Sequence, residues 1–195
     1  MARWMMTADG VRSLGWPDMP LIVLSDNMKS FVSWRIKRHT SGEYNHAMLM
    51  AEPGLFTSQN AVYEQMPVDS YLDGKHRLKF WRGKQWTARS LERVQKHIHA
   101  RMDGSWFKRL YDPFGVLGHR LYMKWSQIPG LYYCSEDVAV VLYMLEPTFN
   151  LRRPSPADIN RWCKAHPEIM QEVGVYDPNY EQFREWHETL EEMNR

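Results

Sequence analysis

A chain of 195 residues in which 44% of the side chains are hydrophobic and 25% are charged has the composition of a globular protein, which excludes a disordered or fibrous class. Its formal net charge is only +2, and the scattered charges argue against nucleic acid as a partner. No apolar run approaches the ~20 residues of a membrane span and no signal-peptide core is visible, so we expect a soluble chain of cytoplasmic synthesis without a membrane span.

The first part of the chain is predicted to be irregular and then rich in strands. Residues 1–19 lack a sustained period and are interpreted as a lead-in. Pro53-Gly54 is typical of a hairpin turn, which favours an antiparallel hairpin or meander. Short runs of strand-like composition lie on both sides of it, at 21–24, 46–50, 55–59, 61–66 and 78–81.

Two helices are predicted downstream of these strands. Thr87 is a suitable N-cap for the first, whose apolar residues recur at spacings of three and four up to about Gly104. The second spans 134–145, carries two carboxylates in its first turn, where the helix dipole favours them, and is stopped by Pro147. Between the two, local helix is expected at 116–125.

The C-terminal part of the chain is predicted to be helical. A short helix at 157–166 and an amphipathic helix at 180–193 follow proline-rich joints. The last helix could fold back on the domain or bind a protein partner. We therefore expect a main domain at 1–150 and a helical appendage at 151–195, an α+β organisation.

Cys134, at the predicted start of the second helix, is the candidate nucleophile. Unpaired backbone N–H groups at a helix N-terminus stabilise the thiolate, the reactive form of cysteine. An imidazole in hydrogen-bond reach then takes the thiol proton, and His46, at the start of a strand, is the best-placed candidate. A buried, unreactive core thiol is the alternative for Cys134, and Cys163 is interpreted as a packing residue.

The other histidines are interpreted as surface or cap residues. None has a partner at a spacing typical of a metal site, and we expect neither a metal nor a cofactor. This interpretation applies to His76, His97, His99, His119, His166 and His187.

Three short motifs occur in a fixed order along the chain. They are Asn45-His46, Tyr111-Asp112 and Tyr133-Cys134-Ser135-Glu136. Together they resemble the circularly permuted papain-like cysteine hydrolases of the NlpC-type superfamily, in the YiiX-like branch, which are related to lecithin retinol acyltransferase. The resemblance covers about 20–145 and implies a permuted papain-like α+β fold, in which a small antiparallel sheet packs on a helix with the cysteine at its N-terminus.

The resemblance also implies roles for individual residues. Cys134 is the nucleophile, His46 is the base, and a third polar residue lies about a dozen residues after the histidine, at Ser58 or Gln59. We favour Gln59, whose amide oxygen can accept a hydrogen bond from the imidazole, and Glu64 is the alternative if the hairpin register differs. Relatives usually carry an acidic residue or a second histidine there, so this sequence departs from the family pattern.

The activity implied by the resemblance is cleavage of an amide or peptide bond through a thioester. Peptides of the bacterial cell wall, peptidoglycan, are the leading substrate class, and a bacterial or bacteriophage origin would suit them, with the protein a virion component in the latter case. Trp34 and Tyr133 are candidate substrate-binding residues. Two other functions stay open, a lipid or thioester acyltransferase and a catalytically idle papain-like module that binds a protein partner.

Overall fold

The computed structural model describes residues 5–29, 38, 42–59, 62–104 and 133–180. In this part of the chain, seven strands and four α-helices are present, together with two short 3-10 helices at Trp16–Asp18 and Val68–Tyr71. The strands are β1 (Met5–Met6), β2 (Leu21–Asn27), β3 (His46–Glu52), β4 (Leu55–Gln59), β5 (Tyr63–Pro67), β6 (His76–Gly83) and β7 (Met170–Tyr176). The helices are α1 (Ala8–Arg12), α2 (Ala88–Met102), α3 (Cys134–Leu145) and α4 (Pro156–Ala165).

The seven strands form one sheet in the order β1-β7-β6-β2-β3-β4-β5. Only the β1–β7 pair is parallel, and the other neighbours are antiparallel. The fold class is therefore α+β with a mostly antiparallel sheet, as the sequence predicts. The strand that begins with His46 also precedes the helix that begins with Cys134, in the order that the resemblance implies.

The hairpin between β3 and β4 turns at Pro53-Gly54, as predicted. Gly54 has a positive φ of 77°, a conformation in which any other L residue would be strained. The turn brings β4 back along β3, with Leu49 opposite Thr57 and a register shift before Glu52 pairs with Leu55.

The side chains of β3 alternate between two hydrophobic clusters, one on each face of the sheet. Ala47 and Leu49 pack with α2, α3 and α4 on what we call the helix face. Met48 and Met50 pack with the segment around α1 and with Val68 on what we call the opposite face. This period of two fixes the face of each side chain in the strand, because successive residues point to opposite sides of a sheet.

Local signals fix the ends of the helices on the helix face. Thr87 precedes α2 in an extended conformation, and Ser90 Oγ accepts a hydrogen bond from its backbone N–H. Before α4, Ser155 Oγ accepts from Asp158 N at 3.2 Å, while Asp158 Oδ2 accepts from Ser155 N at 2.8 Å. Such reciprocal capping satisfies backbone N–H groups that a helix start leaves unpaired.

Two sequence expectations need correction. The predicted lead-in at 1–19 contains β1 and α1, and Thr7 caps α1 by accepting from Gly10 N at 3.0 Å. The predicted helical appendage at 151–195 contains β7, which enters the sheet between β1 and β6. The strand was missed because its burial does not alternate cleanly and its pairing partners lie far away in the sequence.

Two predicted helices cannot be compared with the structure. The local helix expected at 116–125 lies outside the described residues, and so does the C-terminal helix expected at 180–193 beyond Tyr180.

Candidate active site

Cys134 is the first residue of α3, as predicted, and its side chain is buried. Burial raises the pKa of its thiol to about 11, because a thiolate is poorly solvated in the core. The backbone N–H groups of Ala47, Ser135 and Cys134 act against this rise by hydrogen bonding to the sulfur, and the negative charge of Asp137 adds to it. The sulfur is therefore a neutral thiol at rest, although backbone donors of β3 and of the start of α3 oppose the rise.

His46 is the first residue of β3 and pairs with Ser25 of β2. A hydrogen bond of 2.6 Å joins its Nε2 to Oγ of Ser58 in β4. Burial, with a smaller electrostatic contribution from His76, lowers the pKa of the imidazole to about 4. The ring is consequently neutral at physiological pH, the form in which an imidazole can accept a proton.

The alternation of side chains in β3 places the imidazole of His46 and the sulfur of Cys134 on opposite faces of the sheet. His46 and Ser58 have the same parity in their strands as Met48 and Phe56, which belong to the opposite face. Cys134 belongs to α3 on the helix face, and its sulfur accepts a hydrogen bond from the backbone N–H of Ala47, directly after His46. Any proton exchange between the two groups must therefore occur around the end of β3, at its first residue.

The residue that contacts the imidazole is Ser58 rather than Gln59, the favoured candidate. Gln59 Oε1 accepts a hydrogen bond of 2.7 Å from Nη2 of Arg101 in α2. The two adjacent residues of β4 point to opposite faces, so only one of them can meet His46. Glu64, the other candidate, pairs with Ser58 across the β4–β5 ladder.

A buried group of polar side chains next to Cys134 was missed at the level of sequence. Nε2 of His97 donates to Oδ1 of Asp137 at 2.9 Å, and Nη1 of Arg101 lies 3.4 Å from the same oxygen. His97 was interpreted as a surface or cap residue, but only 16% of its side chain is exposed. A signal was present, because His97 and Arg101 continue the stripe of Val94 at helical spacings of three and four.

The remaining candidates are placed as follows. Tyr133 caps α3 and is buried, with its backbone N–H donating to Oε2 of Glu136 at 3.4 Å. Trp34 and the Tyr111-Asp112 motif lie outside the described residues. Cys163 is fully buried in α4, and burial raises the pKa of its thiol.

The described residues contain neither a cluster of metal ligands nor a helix that could span a membrane. In this part of the chain, no group of three or more His, Cys, Asp or Glu side chains is arranged to hold a metal ion. No described helix is long and apolar enough to cross a membrane.

Comparisons with known proteins give little beyond this geometry. No family model matches the sequence, and no curated protein does. Among solved structures, the chain is similar to that of the metalloprotein yiiX from Escherichia coli O157:H7, with 14% identity, a TM-score of 0.48 and coverage of 67% of each chain. The site is therefore interpreted from its own contacts.

Proposed function

We propose that this protein is a cysteine-dependent hydrolase that cleaves an amide or peptide bond through a thioester on Cys134. One observation carries the proposal. A buried cysteine begins a helix, a backbone N–H of the neighbouring strand hydrogen bonds to its sulfur, and the first residue of that strand is a histidine whose imidazole is held by a hydroxyl. Helix-terminal sulfur with a fixed imidazole nearby is the arrangement that acyl transfer requires.

The proposed reaction has two steps. The sulfur of Cys134 attacks the carbonyl carbon while its proton passes to His46, and the imidazolium then protonates the departing amine as the C–N bond breaks. Water next attacks the thioester, which releases a carboxylic acid and returns the proton to the sulfur. Backbone N–H groups at the start of α3 would stabilise the negative oxygen formed in both steps.

The resting protonation states favour general-base catalysis over a preformed ion pair. With a thiol pKa of about 11 and an imidazole pKa of about 4, both groups are neutral between these values. The proton would then move only as the carbon–sulfur bond forms, as it does when a serine hydroxyl is activated by a histidine. Hydrolysis by this route needs neutral imidazole and therefore declines only when the pH falls towards 4.

Ser58 and Glu64 would complete the site as orienting groups. If the other ring nitrogen of His46 takes the thiol proton, Nε2 keeps its hydrogen and donates it to Ser58 Oγ, 2.6 Å away. Glu64 sits directly opposite Ser58 in the antiparallel register. Opposed residues have Cβ atoms about 5 Å apart on one face, so a carboxylate there can receive the hydroxyl hydrogen of Ser58.

A hydrolysis assay tests the proposal. Purified protein is incubated with muropeptides and with acyl esters, and the products are read by mass spectrometry beside a Cys134→Ala control. Release of peptide or amine by wild-type protein alone is the expected result, and it would place the substrate among cell-wall peptides. Release from the acyl esters alone would instead favour the acyltransferase reading, and equal traces from both proteins would overturn the hydrolase.

A cross-linking experiment tests the geometry independently of any substrate. Dibromoacetone alkylates a thiol and then bridges it to a second nucleophile nearby, and peptide mapping identifies the partner. We expect a bridge from Cys134 to His46, absent in His46→Ala. A bridge to His97 instead would show that the wrong imidazole has been assigned as the base.

A catalytically idle binding module is the second candidate, and two observations favour it. The thiol and the imidazole are both neutral at rest, and strand alternation separates their faces. Such a module would leave every substrate intact and would give no bridged peptide. The same two experiments therefore decide between the candidates.

A further inference from the structure

The first turn of α3 carries a buried charge network outside the proposed catalytic groups. Asp137 has 2% of its surface exposed and accepts from Nε2 of His97 at 2.9 Å. Arg101, one helical turn after His97 in α2, places Nη1 3.4 Å from the same carboxylate oxygen. A buried carboxylate costs free energy unless it is paired, and the imidazole N–H of His97 and the guanidinium of Arg101 supply the pairing.

The network is tied to the strands as well as to α2. Nη2 of Arg101 donates to Oε1 of Gln59 at the end of β4, 2.7 Å away. The guanidinium also lies over the ring of Tyr63 in β5, with Cζ 4.4 Å from the centroid. Arg101 is consequently held by β4 and β5 as well as by Asp137, which fixes the guanidinium beside the carboxylate.

The fixed carboxylate lies next to the nucleophile. Residues three apart in an α-helix are surface neighbours, with Cβ atoms ~5–6 Å apart, so Asp137 and Cys134 lie on the same side of α3. A negative charge at this distance disfavours a second negative charge on the sulfur. The direction agrees with the raised pKa of the thiol, to which Asp137 contributes after burial.

We propose that Asp137 is a positioning residue that holds Cys134 in its thiol form, with His97 and Arg101 fixing the carboxylate where its charge acts on the sulfur. The inference rests on the proposed function for its consequence, namely that the nucleophile is restrained until substrate binds. It does not rest on turnover for its test, because the reactivity of the thiol is measured directly.

The other titratable groups close to Cys134 in the sequence or at the site are Glu136, which has partners of its own, and His46, which is neutral. Glu136, also in the first turn, faces Tyr133 N and has Arg153 Nε 3.7 Å from Oε1. The imidazole of His46 is neutral, because its pKa is about 4. The titratable and charged groups around Asp137 and the sulfur are therefore Glu136 on α3, His97 and Arg101 on α2, His46 on β3, Tyr63 on β5, and Arg153.

The test is the pH dependence of alkylation of Cys134 by iodoacetamide, followed by peptide mapping. Asp137→Asn removes the negative charge with little change of shape and should lower the apparent pKa by about one unit, a tenfold gain in thiolate at fixed pH. Arg101→Gln leaves the carboxylate less compensated and should raise the apparent pKa. Both variants break the contact between Asp137 and Arg101, so the loss of that contact alone would move both profiles in one direction.

The matched control is Asp158→Asn in the first turn of α4. Asp158 also accepts from an arginine, Arg161, and from a helix cap, but it belongs to a different helix start. Its variant should leave the alkylation profile of Cys134 unchanged. The proposal is overturned if Asp137→Asn, shown to be folded by circular dichroism, keeps the wild-type profile or if Arg101→Gln shifts it in the same direction.

These outcomes are separable from those of the hydrolase proposal. Opposite shifts in the two variants without any hydrolysis would leave the restraint on the thiol established and would overturn only the enzyme. Hydrolysis without these pKa shifts would support the enzyme and would overturn the role proposed for Asp137.

Discussion

His46 in the sheet has a neutral imidazole, and this makes the stability of the protein depend on pH. Its imidazole has a folded pKa of about 4, below the ordinary value of 6.5, because burial excludes the charged ring. The unfolded chain therefore binds more protons between these values. The stability that this residue contributes is complete above pH 6.5 and is lost as the pH falls to 4.

We expect the substitution His46→Gln to flatten the acid side of the stability profile. Glutamine is neutral at every pH and can still meet Ser58, so about 3 kcal/mol of pH-dependent stability between pH 6.5 and 4 should disappear. Urea unfolding at intervals of pH measures it. His99→Gln is the control, because that side chain is 64% exposed, and an equal slope in His46→Gln and wild type would contradict the lowered pKa.

Ser58→Ala should destabilise the protein by about 1–3 kcal/mol, because it leaves a partly buried ring nitrogen without its hydroxyl partner. Urea midpoints give the difference. Ser70→Ala removes an exposed hydroxyl that bonds to Pro67 O and serves as the comparison. If the two variants lose the same small amount, the bond to His46 contributes nothing.

At the level of elements, a buried hydrogen bond joins the start of α2 to the end of α3. Nε1 of Trp86, just before α2, donates to Oε1 of Glu146, just after α3. Trp86 packs against the end of β6, where a Cβ on Gly83 would lie only 2.1 Å from Nε1. The glycine is required there because the indole occupies the space that a side chain would fill.

Gly83→Ala should therefore cost about 3 kcal/mol, since the indole must shift and the hydrogen bond to Glu146 is strained or lost. Unfolding in urea, followed by tryptophan fluorescence, measures the loss. In Gly15→Ala the nearest side-chain atom is 3.6 Å from the new methyl, so that variant should stay close to wild type. A loss below 1 kcal/mol in Gly83→Ala would contradict the packing.

For the whole molecule, the sheet is completed by both ends of the described chain. β7 pairs with β6 through six residue pairs and carries β1 on its other side. It also supplies Glu172, whose carboxylate lies 2.6 Å from Nζ of the buried Lys79. Within the described residues, α4 and β7 therefore contribute to the core of the molecule.

A chain ended at residue 150 should consequently fail to fold cooperatively. It would expose the edge of β6 and remove Glu172, the carboxylate partner of Lys79, together with the apolar side chains of α4 and β7 that cover the sheet. Circular dichroism during urea unfolding and binding of a hydrophobic dye measure the outcome. A cooperative transition near that of the full chain would instead restore 1–150 as an independent domain.

Much of the fold could be predicted because its signals are local. Thr87, Pro147 and the Pro53-Gly54 turn mark ends of elements through the conformations and hydrogen bonds that their own side chains allow. β7 lacks such marks, because it is defined by pairing with β6 about ninety residues earlier in the chain.

The sequence by itself determined that a cysteine begins a helix, that a histidine begins a strand, and that the strand precedes the helix. Only the tertiary structure decided that Ser58 meets the imidazole in place of Gln59, and that Asp137 is held by His97 and Arg101 beside the thiol. The physical reason is that periodicity and capping act within a few residues. The face of a side chain and its partner depend on how distant elements pair, where a shift of one residue exchanges inside and outside.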